Sequence, residues 1–381
     1  MREAGLVLVA HPSAELYGSD RVLLESVSGL VEAGRDVVVT VPEDGPLVPE
    51  LRKRGARVEL CPTLVLRKSL LHPRGWLTLL RQTAVGLVRG ARLIRRTRPS
   101  VVLVNTLTIP LWLVLARLFR TRSVCHVHEA ERSARPVVRR LLATPVLLAD
   151  VVVANSRFSI GVLEGSFASL GRNARLLANA VPGPAEPVAA RESLDGSLRV
   201  VYVGRLSARK GVDVAVDAVA LLRERGVDAT LDLVGAVFPG YEWFEDSLRD
   251  GIRRHGLEDK VRLHGFVDPV WPMIVGGDVL VVPSRVDEPF GNTAVEGLLC
   301  ARPVIASATS GLLEATSGFD AATTAEPGDA GALAQALADV VDDWPARRDA
   351  AARDANRAAE RHAPEAYRAA LAEIVAEVAA R

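Results

Sequence analysis

The sequence predicts an α/β protein built from two doubly wound, Rossmann-like domains. Short runs of β-branched residues alternate with helix-length segments almost from one end of the 381-residue chain to the other. A proline-rich stretch interrupts this alternation near the middle, and the alternation then resumes. Such alternation is typical of parallel sheets that are covered by helices on both faces. The interruption therefore separates two domains of similar size.

The N-terminal domain, residues 1–182, contains six apolar runs that we expect to form one buried parallel sheet. The predicted strands are Leu6–Ala10, Val37–Val41, Val58–Leu60, Val101–Asn105, Ser123–His128 and Val151–Ala154. The predicted helices between them include Asp20–Ala33, Trp76–Thr97, Pro110–Phe119 and Arg135–Leu148.

Residues 183–197 are predicted to be the linker, because prolines and small polar residues continue neither a helix nor a central strand. The second domain, residues 198–361, restarts the strand–helix pattern. Its predicted strands are Val200–Gly204, Leu231–Gly235, Val261–His264, Val279–Pro283 and Val304–Ala306. The Ala-rich segment from Asp329 onward is expected to be helical. A last helix, at about residues 362–381, is expected to pack back on the N-terminal domain.

Charge is distributed unevenly, although the formal net charge is only +1. Residues 1–182 contain 26 Arg and Lys against 14 Asp and Glu, and the remaining residues contain 21 against 32. No acidic residue lies between Glu59 and Glu129, a stretch whose cations include Arg67, Lys68 and Arg74. This asymmetry indicates an anionic partner for the basic half, although two oppositely charged domains could also attract each other.

The cysteines and the apolar segments indicate in which cellular compartment the protein is expected. Cys61, Cys125 and Cys300 show no CxxC spacing, which fits a reducing compartment. The apolar N-terminal run is too short for a signal peptide. Polar residues and a proline interrupt the apolar segment Val101–Phe119, which favours strand–loop–helix over a membrane span. We therefore expect a cytoplasmic protein that is soluble or peripheral on the inner face of the membrane.

The first candidate site is the loop that follows the first strand of the second domain. The segment Val200–Gly211 reads VVYVGRLSARKG, in which an apolar strand ends at Gly204. Arg205 and Lys210 follow it, just before a predicted helix. Two cations beside a helix N-terminus can bind a diphosphate, because the backbone N–H groups and the helix dipole also favour negative charge. A solvated basic turn remains the alternative.

The second candidate site is the segment Pro283–Gly297, which reads PSRVDEPFGNTAVEG and follows another predicted strand. Glu288 precedes a glycine turn, and Glu296 lies one to two turns into the next helix. Two carboxylates so placed could bind hydroxyls at opposite ends of one elongated ligand. An acidic helix cap would account for Glu288 but not for both glutamates.

At these residues the chain resembles glycosyltransferase family 4, retaining enzymes of the GT-B fold. The E-x7-E element, the GRL…KG loop, the tripeptide Leu233–Gly235 and the VRLHGFV segment occur in that family's order. The segment His11–Leu30 is similar to the family's Gly-rich first loop, with Tyr17-Gly18 in place of the usual Gly-Gly pair. HVHE, NSRF and NAV also match. The resemblance covers nearly the whole chain and implies two domains facing each other across a cleft.

The resemblance also implies roles for individual residues. Arg205 and Lys210 would neutralise the donor diphosphate as it leaves, which stabilises the developing charge. Glu296 would bind the ribose hydroxyls of the nucleotide, and Glu288 the hydroxyls of the donor sugar. His128 would contact the sugar from the opposite wall of the cleft.

Further positions are implied to bind the donor, namely Gly18, Gly204, Phe290, Gly291, Asn292 and Thr293. Tyr17 and Asp20 would lie on the acceptor side. His126 is expected to be a core histidine that points away from His128. No DxD triplet or His/Cys cluster with ligand spacing occurs in the sequence. We therefore predict no metal and no cofactor. The resemblance agrees, because it implies that arginine and lysine do the work of a divalent cation.

A basic helix is the third feature. In Trp76–Thr97, apolar residues recur at spacings of 4, 3, 4 and 3 and are expected to share the inward face. These residues are Leu80, Ala84, Leu87, Ala91 and Ile94. Arg89, Arg92 and Arg96 lie opposite, where they would contact an anionic lipid headgroup or a phosphate-bearing acceptor. An ordinary surface helix would show the same pattern. Nucleic acid is disfavoured, because interleaved aromatic residues and a known motif are lacking.

Together these features predict a retaining, metal-independent glycosyltransferase. It would move a sugar from a nucleoside diphosphate sugar to a hydroxyl of a lipid-linked or otherwise anionic glycan precursor. The alternatives are a nucleotide-sugar epimerase or hydrolase on the same fold, and a non-catalytic nucleotide-sugar-binding protein. An epimerase would need an acid/base pair close to the sugar, whereas donor binding explains both glutamates here.

Overall fold

The computed structural model describes residues 5–66 and 76–381. The chain divides into two compact units: unit 1 is Met1–Ala180 with Pro364–Arg381, and unit 2 is Val181–Ala363. Arg67, Lys68 and Arg74 of the basic stretch lie outside the described residues.

The described residues form thirteen strands. They are β1 (Val7–Ala10), β2 (Val37–Val41), β3 (Arg57–Leu60), β4 (Val101–Val104), β5 (Arg122–Val127), β6 (Val151–Ala154), β7 (Ala174–Leu176), β8 (Leu198–Val203), β9 (Ala229–Val234), β10 (Val261–Gly265), β11 (Val279–Val282), β12 (Val304–Ser307) and β13 (Ala322–Ala325). Eleven of them lie at the predicted apolar runs, whereas β7 and β13 were not predicted.

The helices alternate with these strands along the chain. They are α1 (Gly18–Glu32), α2 (Leu47–Lys53), α3 (Trp76–Thr97), α4 (Leu111–Leu118), α5 (Pro136–Ala143), α6 (Arg157–Glu164), α7 (Ala168–Asn173), α8 (Val212–Glu224), α9 (Glu242–Arg254), α10 (Trp271–Gly276), α11 (Asn292–Leu299), α12 (Ser310–Thr316), α13 (Ala330–Asp342), α14 (Trp344–Arg361) and α15 (Pro364–Ala380). In the described part of the chain, none of them is both long and apolar enough to span a membrane.

Unit 1 is a seven-stranded parallel sheet in the order β3-β2-β1-β4-β5-β6-β7. Its central strands are fully buried, because helices cover both faces of the sheet. The last helix, α15, packs against α1 in this unit. The Ser26 Oγ atom lies 2.7 Å from Tyr367 Oη, and Arg368 forms a 2.6 Å ion pair with Glu25.

The buried face of α3 differs in part from the predicted apolar face. Ile94 is buried, but Leu80 near the start of the helix is 67% exposed. The buried side of α3 consists instead of Gly86, Gly90, Leu93 and Ile94. Small residues allow the helix to approach α4 closely on that side, since a Cβ at Gly90 would lie 2.5 Å from Leu115. Leu87 and Ala91 are partly buried and pack against the core beside Ile94. The predicted face is therefore confirmed in the second half of the helix and is wrong for Leu80 and Ala84, which are exposed.

Unit 2 is a six-stranded parallel sheet in the order β10-β9-β8-β11-β12-β13. The segment 183–197 before it contains neither helix nor strand. This segment is nevertheless attached to unit 2 by Arg191, which pairs with the buried carboxylate of Asp278 at 2.8 Å. Arg199 of β8 pairs with the same carboxylate at 2.7 Å.

The two sheets share one topological property. In each, the strand order reverses between two adjacent central strands, β1 and β4 in unit 1 and β8 and β11 in unit 2. Ligands of doubly wound sheets bind outside the carboxyl ends of the strands at this switch point. The loops after these four strands are therefore the candidate ligand-binding segments of the two units.

Candidate functional site

In unit 2, the loops after β8 and β11 are joined at the switch point. The backbone N–H of Arg285 donates to the carbonyl of Arg209 at 2.9 Å, and the Arg285 guanidinium pairs with Asp213 at 2.6 Å. Gly211, which immediately precedes α8, has a φ of +64°, and a Cβ there would lie only 1.9 Å from the Pro283 carbonyl oxygen. Only glycine permits this approach of the two loops.

The join places Lys210 against Glu288. The Lys210 Nζ atom lies 2.6 Å from Glu288 Oε1, which also accepts a 2.8 Å hydrogen bond from Ser284 Oγ. Ser310 Oγ accepts from the Glu288 backbone N–H at 2.8 Å, which orients the residue. The two side chains of the pair are 37% and 15% exposed, so solvent or a ligand can reach them.

Arg205 lies in the same β8–α8 loop. Its guanidinium stacks on the ring of Phe238, 3.3 Å from the ring centroid, in the loop after β9. The Arg205 carbonyl accepts a 2.8 Å hydrogen bond from the hydroxyl of Tyr202. Burial raises the pKa of Tyr202, which keeps that hydroxyl protonated as a donor. The loop thus holds one cation on an aromatic face and another in an ion pair.

Most of the remaining predicted donor residues of unit 2 lie at the start of α11. Gly291, with a φ of +120°, precedes the helix, and Asn292 and Thr293 form its first turn. The first N–H groups of a helix have no partner within the helix, so this terminus is suited to an anion. Phe290 is buried and packs edge-to-face on His362. Gly204 follows the end of β8, where its N–H donates to Val234 at 2.9 Å.

Glu296, like Phe290, is a buried member of the predicted donor set. It is the fifth residue of α11 and is 8% exposed.

In unit 1, the start of α1 holds the predicted donor residue Gly18 and two predicted acceptor-side residues, Tyr17 and Asp20. Gly18 is the first residue of the helix and is exposed. Tyr17 precedes it and donates its backbone N–H to Asp20 Oδ2 at 2.9 Å. Asp20 itself is buried, and both of its oxygens are engaged because Oδ1 lies 2.7 Å from His11 Nε2. Its carboxylate therefore supports the loop from within.

The structure joins Asp20 to His128 through two residues that sequence reasoning did not select. His11 Nδ1 lies 3.1 Å from Asn105 Nδ2, and Asn105 Oδ1 lies 3.0 Å from His128 Nε2. His11 and Asn105 directly follow β1 and β4, the two strands at the switch point of unit 1. A polar residue immediately after a buried strand is the signal by which both could have been found.

The prediction that His126 points away from His128 is wrong. The two rings lie 4.0 Å apart between centroids, because side chains two residues apart leave an extended chain on the same side. The expectation that His126 is buried does hold, since it is fully buried and burial lowers its pKa to about 3. Burial and the neighbouring His126 and His11 also hold the pKa of His128 well below its usual value.

Glu129, the next residue, closes the other side of this cluster. It accepts hydrogen bonds from the Thr106 hydroxyl and, at 3.1 Å, from the Leu107 N–H. Burial raises the pKa of its carboxyl. The β4–α4 and β5–α5 loops are thus tied together beside His128.

Arg89, Arg92 and Arg96 lie on another element, the exposed side of α3. Arg96 forms a 2.6 Å ion pair with Glu59 of β3. Among residues 5–66 and 76–381, no group of three or more His, Cys, Asp or Glu side chains is arranged to hold a metal ion.

Two family models match the chain. One, described as a glycosyl transferase 4-like domain, matches residues 17–163, and the other, described as glycosyl transferases group 1, matches residues 197–343. The two parallel-sheet units place the chain in the GT-B fold class. The chain belongs to the group 1, family 4-like glycosyltransferases.

Individual relatives agree with this family. The chain is 33% identical over 182 residues to a glycogen synthase from Mycobacterium tuberculosis, an alignment that covers 47% of this chain and 42% of the relative. It is 32% identical to a 2-deoxystreptamine glucosyltransferase from Streptomyces kanamyceticus, covering 44% of this chain and 42% of that protein. The matched part thus spans less than half the length of these curated relatives.

The fold matches that of solved structures over nearly the full length. The structure of Anabaena HepE in complex with UDP-glucose superposes with a TM-score of 0.81 and 20% identity, covering 98% of this chain and all of that one.

Proposed function

We propose that the protein transfers a sugar, with retention of anomeric configuration, from a nucleoside diphosphate sugar to an acceptor hydroxyl. The observation that carries this proposal is the Lys210–Glu288 pair, held at 2.6 Å beside Arg205 at the switch point of unit 2. A site that offers two cations, one carboxylate and a helix start suits a ligand that combines a diphosphate with sugar hydroxyls. HepE, which shares the fold, was crystallised with UDP-glucose, which supports this ligand class.

In this mechanism the charge that develops on the leaving diphosphate is stabilised by the protein itself. Arg205 and Lys210 supply positive charge, and the first N–H groups of α11 supply hydrogen bonds. Glu288 has Lys210 as its ion-pair partner, so the ligand's phosphate can take the lysine while sugar hydroxyls take the carboxylate. We propose that no metal is needed, because these cations do the work of a divalent ion.

The test is to replace Lys210 with Ala and Glu288 with Gln and to measure turnover with a panel of nucleoside diphosphate sugars that begins with UDP-glucose. Each change should lower turnover at least about 100-fold, or roughly 3 kcal/mol in the barrier. The matched control is Lys260→Ala, which breaks an exposed 2.7 Å pair with Asp228 in the same unit. Normal turnover in either site variant would exclude this site assignment.

Product analysis separates transfer from the alternatives. Incubation of the donor with and without acceptor, followed by mass spectrometry, should show a glycosylated acceptor only when both are present. If the nucleotide sugar is isomerised or hydrolysed at full rate without acceptor, then the reaction is not transfer. If the donor binds and no product forms with any acceptor, a non-catalytic binding role is the better description.

We further propose that the acceptor is presented at an anionic lipid surface that contacts α3. Trp76, Leu77 and Leu80 at the start of this helix are 59%, 79% and 67% exposed. The exposed cations Arg89, Arg92 and Arg96 continue along the same helix. Exposed apolar residues on one side of a helix, with a basic row on another side, are typical of helices that lie in the membrane interface.

Vesicle flotation tests this contact. Neutralising Arg89, Arg92 and Arg96 together should weaken binding to phosphatidylglycerol-containing vesicles by up to about 100-fold at low salt, because each cation contributes about 1 kcal/mol. The control neutralises Arg249, Arg253 and Arg254, three exposed arginines of α9 in unit 2. Donor affinity should stay unchanged in both variants. If the wild-type protein does not float, or the first variant floats equally well, the acceptor is not presented at such a surface.

A further inference from the structure

A buried hydrogen-bonded chain connects Asp20 to His128 in unit 1. It passes through His11 and Asn105, with distances of 2.7, 3.1 and 3.0 Å between successive polar atoms. All four residues are at least nine-tenths buried. The chain crosses the ends of three adjacent strands, β1, β4 and β5, at the switch point of the sheet. The three strands are also paired with one another by their backbone hydrogen bonds.

The direction of the hydrogen bonds follows from the Asn105 amide. Its nitrogen only donates, so His11 Nδ1 accepts from it and His11 Nε2 donates to Asp20. The Asn105 amide oxygen in turn accepts from His128 Nε2. Every donor meets an acceptor, which leaves the proton of a neutral His128 on Nε2 and a lone pair on its Nδ1.

We propose that Asp20, His11 and Asn105 are positioning residues that hold His128 in its Nε2–H form and thereby present Nδ1 as an acceptor for a substrate hydroxyl. This inference rests on the proposed function, which supplies a hydroxyl-rich substrate. His128 Nδ1 is buried and has no hydrogen-bond partner among the residues that the structure describes. A buried acceptor of this kind is costly unless a ligand completes it.

The surroundings of His128 agree with a neutral ring. Burial, with His126 and His11 close by, lowers the pKa of His128 well below its usual value. Glu129 is the next residue, and its carboxyl accepts from the Thr106 hydroxyl and from the backbone N–H groups of Leu107 and His128, not from the His128 ring. His128 therefore acts as a hydrogen-bond acceptor for a substrate hydroxyl. The buried hydrogen-bonded chain fixes the His128 ring and so determines how that hydroxyl must be oriented. A substrate analogue lacking that hydroxyl leaves Nδ1 unpaired and is discriminated against.

The first test is spectroscopic and needs no substrate. In protein labelled with 15N-histidine, long-range 1H–15N correlation spectra distinguish protonated from unprotonated ring nitrogens for each of the seven histidines. The variants His11→Gln and His128→Gln assign the two signals of interest. Both rings should carry a proton on Nε2 and none on Nδ1, as the hydrogen-bond pattern requires. A His128 ring that carries its proton on Nδ1, or that is an imidazolium, would overturn the proposal.

The second test interrupts the hydrogen-bonded chain at its centre. Asn105→Leu removes both central hydrogen bonds, so His128 should become a mixture of tautomers and kcat/KM should fall at least about tenfold. The control is Ser26→Ala, which removes a buried hydrogen bond to Tyr367 in the same unit. A folded Asn105→Leu protein with the wild-type His128 spectrum and wild-type kcat/KM would contradict the proposal. If this variant does not fold, the wild-type spectrum decides.

The two proposals fail in distinguishable ways. If His128 has the expected tautomer but no donor and acceptor are turned over, the transferase function is wrong and the positioning chain stands. If transfer occurs with His128 in the other tautomer, only the positioning role is wrong.

Discussion

Replacement of Gly211 by Ala tests whether the approach of the two loops in unit 2 builds the site. Gly211 lies between Lys210 and the start of α8, and its φ is +64°. A Cβ there would lie 1.9 Å from the carbonyl oxygen of Pro283, where real contacts do not fall below 3.0 Å. The loops after β8 and β11 would have to separate by roughly 1 Å, which would pull Lys210 away from Glu288.

Two terms contribute to the expected cost. A non-glycine residue in the left-handed region costs roughly 1–2 kcal/mol. Relief of the clash with backbone adds about 1–3 kcal/mol, as in other overpacked sites. Gly226 offers a matched control, because its φ is +83° and a Cβ there would meet nothing within 4 Å. Gly226→Ala should therefore incur only the cost of the left-handed backbone conformation.

The assays are urea denaturation and steady-state turnover of both variants beside the wild type. Gly211→Ala should be less stable than Gly226→Ala by about 1–3 kcal/mol. Its turnover should also fall by about 100-fold, because a 1 Å displacement of positioning groups has effects of that size. Gly226→Ala should turn over normally. If the two variants are equally stable and equally active, the close approach of the loops does not build the site.

Two further predictions concern stability. Burial keeps His126 neutral in the folded protein and lowers its pKa to about 3, against 6.5 in the unfolded chain. Its contribution to the free energy of unfolding is therefore present above pH 6.5 and is lost as the pH falls toward 3. Between pH 7 and pH 5, urea denaturation should show the wild type losing about 2 kcal/mol more than His126→Leu, and parallel losses would contradict this. Asp278→Ala should destabilise unit 2 by about 3–5 kcal/mol in the same assay, since it leaves Arg191 and Arg199 without their buried partner. Asp250→Ala, which breaks an exposed pair with Arg253, should cost under about 1 kcal/mol, and an equal cost for both changes would show that burial of the pair is not what matters.

The strands were predictable where they are buried on both faces. The predicted and observed bounds of β2 and β6 coincide, because such strands consist of valines that little else in the sequence resembles. Strands β7 and β13 were missed. Both are short edge strands with partly exposed residues, so neither needs an apolar run.

Side-chain direction was harder to predict than element type. The inward face of α3 depends on Gly86 and Gly90, whose importance comes from the helix that packs against them. The direction of His126 follows from strand geometry and could have been obtained from the sequence. The role of Asn105 could not, because one polar residue after a strand does not reveal its partners.

The sequence by itself determined the two parallel α/β domains, the charged loops and the family, because these depend on local composition and on short motifs. The tertiary structure alone decided which residues meet. Lys210 contacts Glu288 across 78 positions, and His11 contacts Asn105 across 94. Both contacts exist because each sheet places next to each other two strands that are not consecutive in the chain. That strand order results from the packing of whole helices against the sheet, so no local sequence pattern determines it.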